Sequence, residues 1–155
     1  MTVKSIPDGY HTVTPYLIVR GAAQALEFYQ AALGAEVKLR LDMPGGKVGH
    51  AEIQIGNSRL MLADEFPEMG AVGPETVGGT PVSLMVYVPD VDQLADQAVA
   101  AGMKVVRPIE NRFYGDRSGQ FVDPFGHVWT LSTHKEDVPD DEVKRRAAAM
   151  SQQQQ

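Results

Sequence analysis

A chain of 155 residues, 43% hydrophobic and 22% charged, fits one compact domain with a buried core. That composition excludes wholesale disorder, collagen-like repetition and a coiled coil. Twenty acidic against 14 basic residues, a net charge of −6, argue against nucleic acid as a partner, because a phosphate backbone is held by clustered Lys and Arg. The absence of cysteine excludes disulfides, thiolate metal sites and cysteine nucleophiles. No run reaches the roughly 18 apolar residues of a membrane helix, and the opening MTVKSIPDGYHTV lacks an apolar h-region, so no membrane partner and a cytoplasmic location are expected.

In chain order, residues 13–19 read as a strand, Ala22–Leu33 as a helix stopped by Gly34, and residues 36–41 as a second strand. A hairpin turn over 43–47 leads into a strand over Val48–Ile55, the turn Gly56-Asn57-Ser58 and a strand over 59–63. Residues 66–80, rich in glycine and proline, have the composition of a linker. The pattern then repeats. A strand over 82–88 precedes a helix over Val91–Ala101, with Asp90 as N-cap and Gly102 as terminator. Strands over 104–107, 119–122 and 128–132 follow, with a loop through Asn111 and the turn Asp123-Pro124-Phe125-Gly126. Leu17 matches Val86, Val19 matches Val88 and Thr14 matches Ser83, all at an offset of about 69 residues. The chain therefore reads as one domain over 1–135, with βαβββ modules at 10–65 and 81–135. Acidic residues around Pro139 followed by Lys144, Arg145 and Arg146 predict a C-terminal helix within 136–150, and 151–155 a disordered tail.

One βαβββ unit leaves a sheet face bare once its helix covers the other. Pairing two units predicts an α+β fold: a curved eight-stranded open-barrel cup around a shared cavity, helices outside. Strand alternation then sorts the side chains. Leu17, Val19, Ala51, Ile53, Ile55, Leu60, Leu62, Val82, Leu84, Val86, Trp129 and Leu131 form the helix-facing set. Thr14, Tyr16, Ile18, His50, Glu52, Gln54, Arg59, Met61, Ser83, Met85, Tyr87, Val128 and Thr130 form the cavity-facing set, a mixture that suits a ligand cavity.

The stretches Tyr16-Leu17-Ile18-Val19, Ala25-Leu26-Glu27-Phe28-Tyr29, Leu33-Gly34-Ala35 and Phe121–Trp129 resemble the vicinal oxygen chelate superfamily, which includes glyoxalase I, extradiol dioxygenases and bleomycin-resistance proteins. The resemblance covers about residues 10–135. Gly49-His50-Ala51-Glu52, Arg59–Glu65 and Gly115-Asp116-Arg117 look most like its PhnB-like subgroup. It implies the glyoxalase/bleomycin resistance/dihydroxybiphenyl dioxygenase fold. The superfamily's metalloenzymes take His and Glu ligands from the first and last strands of each half. The matching positions here are Thr14, Met61, Ser83 and Thr130, none a usual divalent-metal ligand, so neither a metal nor another cofactor is expected.

His50 and Glu52, two apart on one strand, share a face and are the catalytic candidates: a general base with an orienting carboxylate, or two ligands of a non-standard metal site. The bland reading is a solvated pair at the rim, orienting Gln54 or Arg59. Tyr16, Tyr87, Met61 and Met85 suit a planar or amphipathic organic ligand, or simply fill the interior. Thr130 lines the same cavity. Tyr114 and Arg117 are placed in a loop where an Arg fork could clamp an anion, against the duller reading of a local Asp–Arg ion pair. Gly115-Asp116-Arg117-Ser118-Gly119 misplaces its serine for a nucleophile elbow, and Gly45-Gly46-Lys47 lacks the context of a phosphate loop.

Two functions follow. One is a metal-free cup that binds a small organic molecule, as the resemblance to bleomycin-resistance proteins implies. The other is a lyase- or isomerase-type enzyme moving a proton through His50 and Glu52, with or without a divalent metal. A homodimer is expected in either case.

Overall fold

Each half of the chain ties its helix to its last strand through a cap. The computed structural model describes residues 2–153. Helix α1 (Ala22–Leu33) has no side-chain cap of its own. Instead Oδ1 of Asp64, at the end of strand β4 (Ser58–Asp64), accepts from the Gly21 and Ala22 amides at 2.9 Å each, and Oδ2 accepts from Val48 at 2.8 Å. Asp64 thus satisfies orphan donors at the helix start while pinning strand β3 (Val48–Ile55). In the second half Thr133, about 69 residues on, does the same for helix α3 (Val91–Ala101): its hydroxyl accepts from Val91 N at 2.8 Å, and Asp90 caps Gln93 N. Gly34, at φ 68°, ends α1 with paired bonds from Gly34 N to Gln30 O and from Ala35 N to Tyr29 O.

Strand β1 (Tyr16–Val19) lies parallel to β4, followed by β3 and then β2 (Glu36–Asp42), both antiparallel. The second sheet repeats this order, with β5 (Ser83–Tyr87), β8 (Val128–His134), β7 (Asp116–Val122) and β6 (Lys104–Asn111). The two mixed sheets are separate and not closed into a barrel, as in an open cup. Most of the helix-facing set is buried, from Val19 and Ile53 to Trp129 and Leu131, with each large aliphatic side chain contributing about 1.5–3 kcal/mol. Val82, which precedes β5, is exposed, and Leu84 and Val86 are half-buried against the core.

The modules join on the helix side. Helix α1 packs against α3, and one apolar cluster runs through both helices and both sheets. At its centre Asp123 Oδ2 accepts from Tyr29 Oη of the first module at 2.6 Å and from Trp129 Nε1 of the second at 2.9 Å. Gln97 donates to the Ala31 carbonyl, and His127 Nε2 lies 2.9 Å from the Ile18 carbonyl.

Four details differ from expectation. β6 continues to Asn111 through Pro108, which an edge strand tolerates because its outer side needs no ladder donor, and the register slips on either side of Arg107. β7 begins at Asp116, so Asp116 and Arg117 are strand residues. The linker is packed: it carries a 3-10 turn (Pro67–Met69) and helix α2 (Pro74–Val77), and Thr76 Oγ1 donates to the Glu65 carboxylate. Helix α4 (Asp140–Gln153) runs past Ser151, where the tail was expected to begin; Gln154 and Gln155 lie outside the described residues.

Candidate functional site

The cavity-facing set occupies the sheet faces opposite the helices. Strand β3 carries His50, Glu52 and Gln54 there, and the register sets Glu52 beside Met61 and Tyr16 beside Met61 on the next strand. A continuous hydrogen-bonded row results. Tyr16 Oη lies 2.9 Å from His50 Nδ1, and His50 Nε2 lies 2.8 Å from Glu52 Oε2. With a neutral ring, Nε2–H donates to the carboxylate and Nδ1 accepts from the phenol, so both nitrogens are satisfied. The other carboxylate oxygen accepts from Tyr10 Oη, a residue that sequence reasoning missed. Tyr10 belongs to the N-terminal segment outside every strand and helix, so no periodicity marked it.

The electrostatics follow from these contacts. The hydrogen bond from Tyr10, then that from His50, hold the Glu52 carboxyl below the usual carboxylate range. Burial, reinforced by the Glu52 charge, pushes the Tyr16 phenol above its ordinary value, so Tyr16 stays a neutral proton donor. Arg59 donates through Nε to Gln54 Oε1 at 2.7 Å and sits over the Tyr10 ring, 5.5 Å from its centroid. Among the described residues Arg59 forms no salt bridge. Gln54 is held by Arg59 and by the Gly56 carbonyl.

In the second module Met85 pairs with Thr130, which pairs with Gln120, on the equivalent face. Tyr87 donates to the buried Asp116 Oδ2 at 2.8 Å. Asp116 Oδ1 in turn meets His134 Nδ1, and His134 Nε2 meets Asp137. Tyr114 stacks edge-on against Phe113 in the preceding turn. Arg117 is a correction: it lies on the helix side of β7, where its guanidinium is held by Asp92 of α3 at 2.8 and 2.9 Å and by Asn111, so it does not join the Tyr87 face. Its ion pair is with Asp92, across space, rather than with a sequence neighbour.

A cleft of about 550 Å³ lies between the two modules, bordered by Thr14, Leu33, Arg59, Met85, Tyr87 and Trp129 among others. It brings Arg59 of the first module together with Met85 and Tyr87 of the second. It does not include His50 or Glu52; hollow and chemistry adjoin at Arg59. Tyr16, Met85 and Tyr87 are 47%, 47% and 58% exposed, so the polar faces are uncovered in one chain.

The four positions that correspond to metal corners carry two threonine hydroxyls, a serine hydroxyl and a thioether, a donor set that does not fit the borderline divalent ions of such centres. Among the described residues no three His, Asp or Glu side chains group as metal ligands.

Paired βαβββ modules with unclosed four-stranded sheets and a polar face opposite the helices define a glyoxalase-like protein. The chain belongs to the glyoxalase/bleomycin resistance protein/dioxygenase superfamily, whose model matches residues 10–131. An uncharacterized protein of Mycobacterium bovis is 40% identical over 144 residues, covering 91% of this chain and 93% of its own. Among solved structures, TioX from Micromonospora sp. ML1 is similar at a TM-score of 0.65 and 25% identity, over 80% of this chain and 98% of that one. A PhnB protein from Bacillus cereus, described as a putative 3-demethylubiquinone-9 3-methyltransferase, shares the fold at a TM-score of 0.62 and 18% identity, over 79% and 99%. No helix among the described residues is long and apolar enough to cross a membrane.

Proposed function

We propose that this chain is a cytoplasmic, homodimeric binding protein that holds a small planar or amphipathic organic molecule between its two modules, without the superfamily's usual metal centre. The observation that carries this reading is the cleft of about 550 Å³ bordered by Arg59, which forms no salt bridge among the described residues, together with Met85 and Tyr87. Its volume falls in the range of small-molecule sites, and its walls combine apolar area with a few polar groups that fix orientation. The thioether and phenol adapt to and stack on a flat ligand, and Arg59 supplies a cation. The hydroxyl and thioether donors at the four corner positions support the metal-free part.

The test is a panel of planar aromatic fragments, screened against the full chain by saturation-transfer NMR. Fragments that bind should lose about tenfold in affinity in Tyr87→Ala or Arg59→Gln, the scale of one stacking or charge-assisted contact. A panel without binders, or binders indifferent to both substitutions, overturns the reading.

The Tyr16–His50–Glu52 row favours a second reading, an enzyme in which the Tyr16 hydroxyl takes a proton from the substrate as it hands its own to His50 Nδ1, so that no tyrosinate is left, while Glu52 orients the ring and stabilises the imidazolium. A stoichiometric divalent ion in purified protein, lost in His50→Ala, would overturn the metal-free binding reading in favour of this enzyme with a metal held at His50.

A further inference from the structure

Residues 2–15 form no helix or strand before Tyr16, and from Thr2 to Val13 every residue is exposed except Tyr10. The turn that delivers Tyr10 is local: its amide bonds to the Pro7 carbonyl at 3.1 Å, and Gly9 at φ 85° supplies the left-handed residue such a turn needs. Lys4 pairs with Asp8 inside the same segment. Beyond the backbone bond from Met61 N to Pro15 O that leads into β1, the side-chain contacts that tie this strap to the sheet centre on Tyr10. The Tyr10 hydroxyl donates to Glu52 while its ring lies under the Arg59 guanidinium. Gly9 fits closely there, since a Cβ at that position would stand 3.1 Å from Arg59 Nη2.

The face is therefore filled by a phenol. An ionised carboxylate takes its hydroxyl, a cation covers its ring, and the Glu52 carboxylate leads on through His50 to Tyr16. Nothing in this arrangement requires that the phenol be part of the chain. We propose that Tyr10 is an internal occupant of the binding face and that the ligand displacing it carries a hydroxylated aromatic ring, which takes over the bond to Glu52 and the contact with Arg59. This rests on the proposed ligand site, whose cleft adjoins this face at Arg59, and extends it toward Glu52 with a ligand class and a competitor. A side chain on a short flexible tether competes at a millimolar-scale effective concentration, so a free phenol binds the intact chain more weakly than one whose strap lacks the ring.

The experiment uses p-cresol, the tyrosine side chain as a free molecule, with toluene as its hydroxyl-free control, added to the full chain and followed by the His50 ring signals in NMR. Tyr10→Ala removes a half-buried strap contact and leaves the core untouched. p-Cresol should bind Tyr10→Ala about tenfold more tightly than the unaltered chain, toluene should show no comparable gain, and adding Glu52→Gln should abolish the gain. Equal p-cresol affinity with and without Tyr10, or an equal gain for toluene, overturns the proposal while leaving a working ligand face. If p-cresol fails to move His50 in Tyr10→Ala although panel fragments bind, the phenol assignment alone is wrong. If neither binds, the ligand-site reading falls with it.

Discussion

A neutral imidazole has one donor and one acceptor, and His50 uses both, toward Glu52 and Tyr16. The spacing of two residues is enough to put His50 and Glu52 on one face, and alternation likewise assigns Trp129 to the core, where it is 1% exposed. Arg117 escaped the same rule because its strand begins three residues earlier than its composition suggests. Counting back in twos from buried Phe121 through Gly119 reaches Arg117 and places it on the helix side, where Asp92 waits. Tyr10 was beyond any such rule: its partner Glu52 is 42 residues away and its own segment has no period. One residue on the second face is out of balance. Ser132 is fully buried, yet its hydroxyl has no hydrogen-bond partner among the described residues. Replacing an unsatisfied buried hydroxyl by a methyl removes a desolvation cost, so Ser132→Ala should raise unfolding stability by about 1 kcal/mol. Urea unfolding measures it; a loss of similar size would mean that the hydroxyl is bonded in solution.

Element boundaries were legible wherever the chain carries its own punctuation. Gly34, Gly102 and Asp90 end or start their helices as their residue types dictate, and α1, β3 and α3 have the expected limits. The cap of α1 could not be read, because Asp64 comes from a strand 42 residues further on. Nor could the docking of the C-terminal segment. Lys135 and Glu136 donate backbone bonds to the Gly115 carbonyl, Arg146 of α4 donates to Phe113 O, and His134 sits between Asp116 and Asp137 with a carboxylate at each ring nitrogen. Both nitrogens can donate only when the ring is protonated. The hydrogen bond to Asp116, then that to Asp137, raise the His134 pKa above its ordinary 6.5. A raised folded-state value stabilises the docked segment fully below the unfolded-state value and ceases to do so as pH climbs through the folded one. His134→Gln keeps a neutral polar side chain but cannot titrate. The thermal midpoint of the unaltered chain should therefore exceed that of His134→Gln at mildly acidic pH, and the difference should shrink as pH rises past the folded pKa. A difference independent of pH would show that His134 does not bridge the two carboxylates as an imidazolium.

For the whole molecule, the repeat at about 69 residues announced two like modules, because each strand of one has its counterpart in the other. How they join was not written in any period: Asp123 accepts from Tyr29 across 94 residues and from Trp129 beside it, a meeting that only packing α1 on α3 creates. The duplicated faces have also diverged in chemistry. Where the first carries Glu52 beside Met61, the second carries Gln120 beside Thr130, so a ligand spanning both modules meets a charged wall and a neutral one. Each face leaves large apolar side chains half exposed: Leu39, Leu41 and Tyr16 on the first sheet, Met85 and Tyr87 on the second. Uncovered apolar area on this scale, gathered on sheet faces rather than scattered, is what an interface removes from water. The proposed homodimer assigns that role to a second copy of the chain, whose own modules carry the matching duplicated surfaces. Light scattering across micromolar dilutions should return twice the chain mass of 16.9 kDa. Leu41→Glu adds a charge to a half-exposed strand position without touching the core, and should shift the mass toward one chain while the thermal transition remains cooperative. A single-chain mass for the unaltered protein at every dilution would mean that these faces stay open to solvent and that the ligand alone must cover them.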